Sequence, residues 1–390
     1  TSVTYTISSI NANATKVIFD TQSSNFTYGS VGSGSGSKVG NTVEITGWSG
    51  TSVTVTLTYT TAATYSNRAK VQSTADAYTD SAYSSTDSII ISSPAVWYGS
   101  RATWSGGGGD YVGIPTNIID YVTIATTSNA TDFGNLTQSR HGAGGVSNAT
   151  RGVIASGHNN ASAYYNNIDY ITISTTGNAT DFGDSTYGRY GAGGASDGSR
   201  GVFGSGHTGS YQNALDYITI ATTSNATDFG DALGSYILAG GASNSIRGLF
   251  FRNTTSTNSI EYVTIQTTGN TTDFGDLSAT RANGAPVSDS SRCVYGGGDN
   301  PSGQTNIIDY VTVDTTGNAT DFGDLTTVRA AMSDNGNSDG TTGIWGGGNV
   351  TGVHTDVIDY VTIQTTGNAT DFGDLSGPGG RFQPVGNSGN

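Results

Sequence analysis

Residues 119–374 repeat one pattern of apolar and polar positions six times. Each copy begins with β-branched and aromatic residues, such as IDYVTI at 119–124, whose apolar side chains fall on both faces of a strand. A Ser-Asn or Gly-Asn pair follows, which suits a hairpin turn, and then a short TDFG strand. A period of 45–50 residues predicts a repeat architecture built from strands. The Asp of TDFG falls at Asp132, Asp181, Asp228, Asp273, Asp321 and Asp371.

Two further predicted strands complete each unit. A Gly-rich segment, such as GAGGA at 191–195, precedes a segment such as RGVFGSGH at 200–207. We label the four strands A (Gly-rich), B (RGVFGSGH), C (IDYVTI) and D (TDFG); four antiparallel strands in each period are typical of a propeller blade. Residues 381–385 begin another strand A, which is expected to complete the first blade beside residues 101–136. The sequence therefore predicts an all-β fold with a closed, six-bladed β-propeller.

The order of these features resembles the kelch repeat over about residues 96–390. Glycines follow an aromatic strand B, strand D carries an aromatic residue, and an Arg opens the next unit; Phe of TDFG stands where kelch repeats usually have Trp. More narrowly, the wording IDYVTIATTSNATDFG at 119–134 resembles repeat proteins from virions of marine tailed phages, where they are tail or fibre components. This resemblance implies a virion protein assembled in the host cytoplasm.

Residues 1–95 lack the repeat and are predicted to form a separate domain, joined near Pro94 to the propeller at 96–390. About seven short strands with polar turns favour a small immunoglobulin-like β-sandwich. In a virion, this domain is expected to serve as an attachment or spacer module that binds other virion proteins. The expected strands are 3–7, 16–20, 26–31, 42–46, 53–59, 69–72 and 88–92.

Composition and charge exclude several classes of partner. The net charge of −15 repels phosphate backbones, so nucleic acid is not an expected partner. The sequence has no apolar run of 18 residues, so no membrane insertion is expected. A single cysteine, Cys293, cannot form an internal disulfide or a Cys-based zinc site. The sequence leaves open whether the chain forms a homo-oligomer.

The connections between strands predict which face of the propeller binds a partner. In an antiparallel blade the A–B and C–D turns share one face, and the B–C and D–A connections share the other. The C–D turn is nearly the same in all six copies, whereas every B–C loop differs. Variable loops on a rigid scaffold are where binding usually occurs, so the B–C face is the candidate recognition face.

Five unrepeated residues are the candidates for contact with a host-surface polysaccharide or a protein. Arg252 ends a strand B where no other copy has Arg, and it is expected to be exposed. Tyrosines in the B–C loops present flat, amphipathic rings that suit either ligand. The alternatives are a solvated surface Arg and Tyr side chains that cap blade edges. The loop tyrosines are Tyr111, Tyr164, Tyr165 and Tyr211.

Arginines and acids also recur with the repeat, which predicts structural ion pairs around the ring. Ten of the eleven propeller arginines occupy two repeated places, on strand B and at the opening of strand A. The alternative, an arginine ring that binds an anionic sugar at the channel mouth, is disfavoured by the neighbouring acids. The predicted ion-pair residues are Arg151, Arg200, Arg247, Arg292, Asp120, Asp169, Asp216 and Asp309.

No set of residues outside the repeat suggests catalysis, a metal or a cofactor. His158 and His207 follow equivalent glycines in neighbouring units, but no Cys accompanies them, so no metal site is expected. The sequence contains no separate carboxylate pair, Ser-His-Asp set or phosphate loop. The leading hypothesis is a non-enzymatic phage virion protein. The alternatives are a carbohydrate-active enzyme or lectin on a propeller, and a cellular kelch-type adaptor.

Overall fold

The structure, a computed structural model of the 390-residue chain, confirms the prediction of an all-β fold. The chain divides into two compact units, Thr1–Ala95 and Val96–Asn390. No helix occurs among the described residues, so none of these residues belongs to a helix that could cross a membrane. The structure describes residues 2–7, 16–20, 26–31, 35–39, 42–46, 53–59, 63–72, 87–91, 99–109, 114–159, 163–253, 257–330, 332, 336–376 and 385–387.

Eight strands in two sheets form the described part of the first unit. They are β1 (Ser2–Ile7), β2 (Lys16–Asp20), β3 (Phe26–Val31), β4 (Ser35–Val39), β5 (Thr42–Thr46), β6 (Val53–Tyr59), β7 (Ala63–Gln72) and β8 (Asp87–Ile91). The sheets have the orders β1-β6-β3 and β4-β5-β2-β7-β8. Strand β4 was not predicted, because SGSKV has no alternating apolar pattern. An immunoglobulin-like sandwich remains a prediction.

The second unit is a propeller of six four-stranded sheets. Its strands are β9 (Arg101–Ser105), β10 (Gly108–Gly109), β11 (Ile114–Pro115), β12 (Ile118–Thr123), β13 (Thr131–Asn135), β14 (Gly144–Ser147), β15 (Arg151–Ala155), β16 (Asn167–Thr172), β17 (Thr180–Asp184), β18 (Gly193–Ser196), β19 (Arg200–His207), β20 (Tyr211–Thr219), β21 (Thr227–Asp231), β22 (Leu238–Ser243), β23 (Arg247–Arg252), β24 (Ser259–Thr264), β25 (Thr272–Asp276), β26 (Ala285–Ser288), β27 (Arg292–Gly296), β28 (Asp299–Asn300), β29 (Gly303–Gln304), β30 (Ile307–Thr312), β31 (Thr320–Asp324), β32 (Asn337–Ser338), β33 (Thr342–Gly346), β34 (Asn349–Val350), β35 (Val353–His354), β36 (Val357–Thr362), β37 (Thr370–Asp374) and β38 (Val385–Asn387).

The sheets follow the predicted order A-B-C-D, and blade 2, for example, is β14-β15-β16-β17. Blade 1 combines strands from the two ends of the unit, since β38 pairs antiparallel with β9 in the order β13-β12-β9-β38. Val385 lies opposite Ser105 and Asn387 opposite Thr103. The A strands neighbour one another, with β38 beside β14 and β14 beside β18. The predicted six-bladed propeller is therefore confirmed.

Buried serines join the inner strands of successive blades. The Ser196 hydroxyl donates to the Ser147 carbonyl over 2.8 Å, and Ser243 does the same to Ser196 over 2.6 Å. Ser288 continues the series by donating to the Ser243 carbonyl over 2.9 Å. A small hydroxyl satisfies a buried carbonyl without separating the strands, which explains the Ser at the end of strand A in blades 2–5.

Apolar layers fill the spaces between blades. In the layer between blades 2 and 3, Val153 and Phe182 pack with Phe203 and Ile218. Phe182 of the TDFG step meets Tyr170 of strand C edge to face, with ring centroids 6.1 Å apart. Because each sheet is covered on both sides, strand C needs apolar residues on both faces, as IDYVTI provides.

Each C–D turn is bound to strand D of the preceding blade. The Asn side chain of the turn accepts a hydrogen bond from the backbone N–H that follows the TDFG glycine, over 3.0–3.2 Å in all six junctions. These glycines have φ between +144° and +151°, and a Cβ there would overlap the neighbouring turn. The ring closes in the same way, because Gly373 of blade 6 faces Ser128 of blade 1.

We predict that Gly230→Ala destabilises the propeller by at least about 2 kcal/mol, since its φ is strained for Ala and its Cβ would overlap the Gly269 carbonyl. Gly269→Ala is the matched control, because a Cβ there meets nothing within 4 Å. Urea unfolding should show a loss for Gly230→Ala that Gly269→Ala lacks. Equal stability of the two variants would contradict this account of the TDFG glycine.

Removal of residues 385–390 should lower the melting temperature of the propeller, because blade 1 then loses its inner strand β38 and exposes β9. A shorter truncation that removes only residues 388–390 keeps β38 and is the control. Differential scanning calorimetry measures both. A melting curve that is unchanged by the longer truncation would show that β38 does not close the ring.

Candidate functional site

Buried ion pairs link strand C of four blades to the connection that opens strand A of the same blade. Their side chains are at most 1% exposed. The Nη2–Oδ2 distance is 2.7 Å for Arg140–Asp169, 2.5 Å for Arg281–Asp309 and 3.1 Å for Arg329–Asp359, and Arg189 pairs with Asp216 in the same manner. Burial lowers the pKa of Arg140 and of Arg329, while the partner carboxylates oppose this. The pairs are internal and structural.

Hydroxyl groups complete the surroundings of these carboxylates. Thr137 donates its backbone N–H and its hydroxyl to Asp169. Ser278 does so to Asp309, and Ser376 to Asp120 in blade 1. Each acid therefore holds the D–A connection that arrives from the preceding blade. These hydrogen bonds and the paired guanidinium compensate the buried charge of the carboxylate, so its oxygens are not available to a ligand.

The arginines of strand B, which we predicted as ion-pair members, have a different role. Arg151 lies over the Tyr170 ring at 4.3 Å and donates to the Ile220 carbonyl of the next blade over 2.9 Å. The register explains the error, since Arg151 lies opposite Thr172, three positions from Asp169 along strand C. Arg200, Arg247 and Arg292 repeat the arrangement, with rings at 4.3–4.8 Å and carbonyls at 3.0–3.1 Å.

Blade 4 replaces the usual ion pair with a different set of residues. Tyr236 stands where the other blades have the strand-A Arg, and Glu261 stands where they have Asp. Arg252 supplies the missing guanidinium, with Nε at 2.7 Å and Nη2 at 2.6 Å from Oε1 of Glu261. Tyr236 also donates to Glu261 and lies under Arg252, 4.5 Å from ring centroid to Cζ. Burial and the Glu261 carboxylate together raise the pKa of Tyr236.

The prediction that Arg252 is exposed is therefore wrong. Its side chain is 22% exposed and is paired with a fully buried Glu261. Arg252 has no counterpart in the other blades because only blade 4 has Tyr236 in place of the strand-A Arg and needs a guanidinium from another position. The pattern in the sequence that could have revealed this is the joint change at 236, 252 and 261, all of which fall in one unit.

The loop tyrosines differ in their surroundings. Tyr211 is 58% exposed. Tyr164 and Tyr165 are half-buried, and Tyr165 lies 5.9 Å from the guanidinium carbon of Arg140. Tyr111 lies outside the described residues. Of the predicted contact residues that the structure describes, Tyr211 is the most accessible.

Three histidines and three tyrosines form one continuous group on the B–C face of blades 2 and 3, which we call the aromatic cluster. Tyr164 stacks on Tyr190 with centroids 6.0 Å apart, and its hydroxyl lies 3.3 Å from Nδ1 of His207. Tyr211 meets His207 edge to face at 5.1 Å. Burial raises the pKa of Tyr190, and the nearby tyrosines add to the shift. The members are His141, His158, Tyr164, Tyr190, His207 and Tyr211.

His141 and Tyr190 were not predicted as candidate functional residues. Both directly follow a repeated arginine, Arg140 and Arg189, and each forms a bridge to the end of strand B. The equivalent position is Ala282 in blade 5 and Ala330 in blade 6. A comparison of the residue after each arginine could have identified the two, because large rings stand there in place of the alanines of blades 5 and 6.

Shallow depressions at the C–D turns belong to the repeat. One, of about 370 Å³, is lined by Thr312, Gly317 and Asn318, and a second, of about 280 Å³, by the equivalent residues of blade 4.

The single Cys293 is buried, and burial raises the pKa of its thiol. A buried thiol of this kind is not accessible to a ligand.

Comparison with known proteins adds no family. No protein-family model matches the chain. A search of the curated proteins also finds no match. The kelch and phage-virion resemblances therefore rest on the sequence alone.

We predict that Arg252→Ala destabilises the propeller by about 3 kcal/mol, the low end for a broken buried pair, because it leaves Glu261 uncompensated. In a Glu261→Gln background the same substitution should cost much less, since no buried charge remains. Urea unfolding of the two single variants and the double variant measures this coupling. Tyr211→Ala, at an exposed site, should stay within about 0.5 kcal/mol. Additive losses for Arg252 and Glu261 would contradict the pairing.

Proposed function

We propose that this protein is a non-enzymatic component of a tailed-phage virion whose propeller presents its B–C face to a host-surface polysaccharide or to another virion protein. The first 95 residues serve in this proposal as the attachment module. The proposal takes the virion location from the resemblance of 119–134 to phage tail and fibre proteins. It takes the binding face from the geometry of the propeller.

The choice of the B–C face as the binding face is supported by a difference between the connections on the two faces of the propeller. On the C–D face, the turn asparagines are bound to the neighbouring blade at all six junctions. On the B–C face, blades 1, 5 and 6 add two-stranded ribbons, such as β28-β29, whereas blade 3 extends its own strands to His207 and Tyr211. Unequal connections on a rigid ring can change without disturbing the fold, as a recognition surface requires.

The aromatic cluster gives this face its most distinctive chemistry. It combines flat rings with hydroxyl and imidazole groups that donate or accept hydrogen bonds. Tyr211, at its edge, is 58% exposed. Rings of this kind suit the apolar faces of sugars and the surfaces of proteins, and they lose little side-chain entropy on binding.

The virion location is tested by mass spectrometry of purified particles from the phage that carries the gene. Peptides of this chain should copurify with the major capsid protein at a constant ratio through successive density gradients. Gold-labelled antibodies against the chain then locate it on the particle. Recovery of the chain only from the soluble lysate would reject the virion proposal.

The B–C face is tested by competition for adsorption. The full chain, added in excess, should slow adsorption of the phage to its host. Joint replacement of Tyr164, Tyr165 and Tyr211 by Ala should abolish this competition, with circular dichroism showing that the variant is still folded at the temperature of the assay. Gly269→Ala, on the opposite face, is the matched control and should compete fully. Full competition by the triple variant would exclude this face as the receptor site.

A further inference from the structure

One pair of histidines distinguishes blade 2 from the other blades. His141 follows the buried Arg140, and His158 follows the end of strand β15. The two residues are directly opposed in an antiparallel bridge, and each backbone N–H donates to the other carbonyl over 3.1 Å. Opposed residues project to the same side of a sheet, so the two imidazoles meet on a backbone that is already fixed.

The distance between the two rings suits a metal ion. Nε2 of His141 lies 3.5 Å from Nδ1 of His158, with the ring planes at 85°. A single proton shared over this distance makes only a weak hydrogen bond. Two nitrogens bound to one ion at about 2.0–2.1 Å are roughly 2.9–3.4 Å apart for bond angles of about 90–109°. The observed separation exceeds this range by only about 0.1–0.6 Å.

We propose that His141 and His158 bind one divalent transition metal ion, with water completing its coordination. Imidazole nitrogen suits Zn²⁺, Ni²⁺ and Cu²⁺, whereas Mg²⁺ and Ca²⁺ require oxygen ligands. In the part of the chain that the structure describes, no group of three or more His, Cys, Asp and Glu is placed to hold a metal, so this site has two protein ligands. His158 is partly exposed, which leaves one side of the pair open to water.

The surrounding rings hold His158 in a suitable orientation. Tyr164 and Tyr190 lie against it, with ring centroids at 5.1 Å and 5.4 Å. Tyr164 is held in turn by its stacking on Tyr190 and by the contact of its hydroxyl with His207. Groups around a ligand that fix the ring orientation reduce the entropy lost on metal binding and raise affinity.

Other blades provide an internal control for the pair. At the same bridge, blade 3 has Tyr190 and His207, blade 5 has Ala282 and Asp299, and blade 6 has Ala330 and Asn349. His207 occupies in blade 3 the position of His158 in blade 2, but its opposite residue is a tyrosine. His207 is therefore a histidine at the equivalent position that lacks a second imidazole opposite it, and we do not expect it to bind the ion. His158 and His207 are equivalent in the sequence, but the register places His141, and not His207, opposite His158.

The test is isothermal titration of the full, untagged chain with ZnCl₂ and with NiCl₂. We expect one ion per chain, and a loss of affinity of at least about tenfold in His141→Ala and in His158→Ala. His207→Ala should lower the affinity by much less than tenfold, because it removes only a contact to Tyr164 and not a ligand, and MgCl₂ should give no binding heat. The native chain should also melt at a higher temperature with ZnCl₂ than without it, because an ion that binds only the folded state stabilises it.

Two results would overturn the proposal: no binding of Zn²⁺ or Ni²⁺ by the native chain, or undiminished binding by both alanine variants. His158→Gln keeps a polar side chain of similar size and separates loss of the ligand from loss of the fold, since it should melt like the native chain without metal yet bind at least about tenfold more weakly. The titration uses no virion and no host, so its outcome is independent of the proposed function.

Discussion

The close approach of each C–D turn to strand D of the preceding blade constrains the rest of the propeller. The turn supplies an Asn acceptor, and the strand supplies a glycine without a Cβ, at all six junctions. A substitution of the glycine would bring a Cβ into the turn of the next blade, and a substitution of the Asn would remove the acceptor for the strand. This mutual dependence explains why the Ser-Asn or Gly-Asn pair and the TDFG step keep their form in every copy.

Three kinds of polar contact hold the propeller together. Serines join inner strands of neighbouring blades, Arg–carboxylate pairs anchor D–A connections, and the turn asparagines bind the outer strands. Apolar layers fill the spaces between blades. Blade 4 shows that its buried acid needs a guanidinium, since the one that Tyr236 lacks is supplied by Arg252 from strand B. A buried carboxylate needs a partner, but the partner can come from a neighbouring strand.

The sequence predicted the blades because a strand covered on both faces and a two-residue turn are local features. It could not assign the partners of the acids, since two sets of arginines recur with the same period and only the register separates them. Arg151 is opposite Thr172, and this places it beyond reach of Asp169. The histidine pair was missed for a related reason, because His141 and His158 lie 17 residues apart and belong to different elements.

The identical outer junctions have a consequence for how such a ring can change. The contact between the turn and strand D has the same form at all six junctions, so the exchange of one unit for another would keep these contacts. The position of β38 defines the unit for such an exchange as strands B, C and D followed by strand A. Blade 4 restricts the exchange, because this boundary separates Tyr236, at the opening of strand A, from Arg252 and Glu261 on strands B and C. Recombination between copies would therefore move complete B–C loops from one blade to another, and the B–C face could acquire new combinations of loops while the opposite face stays the same.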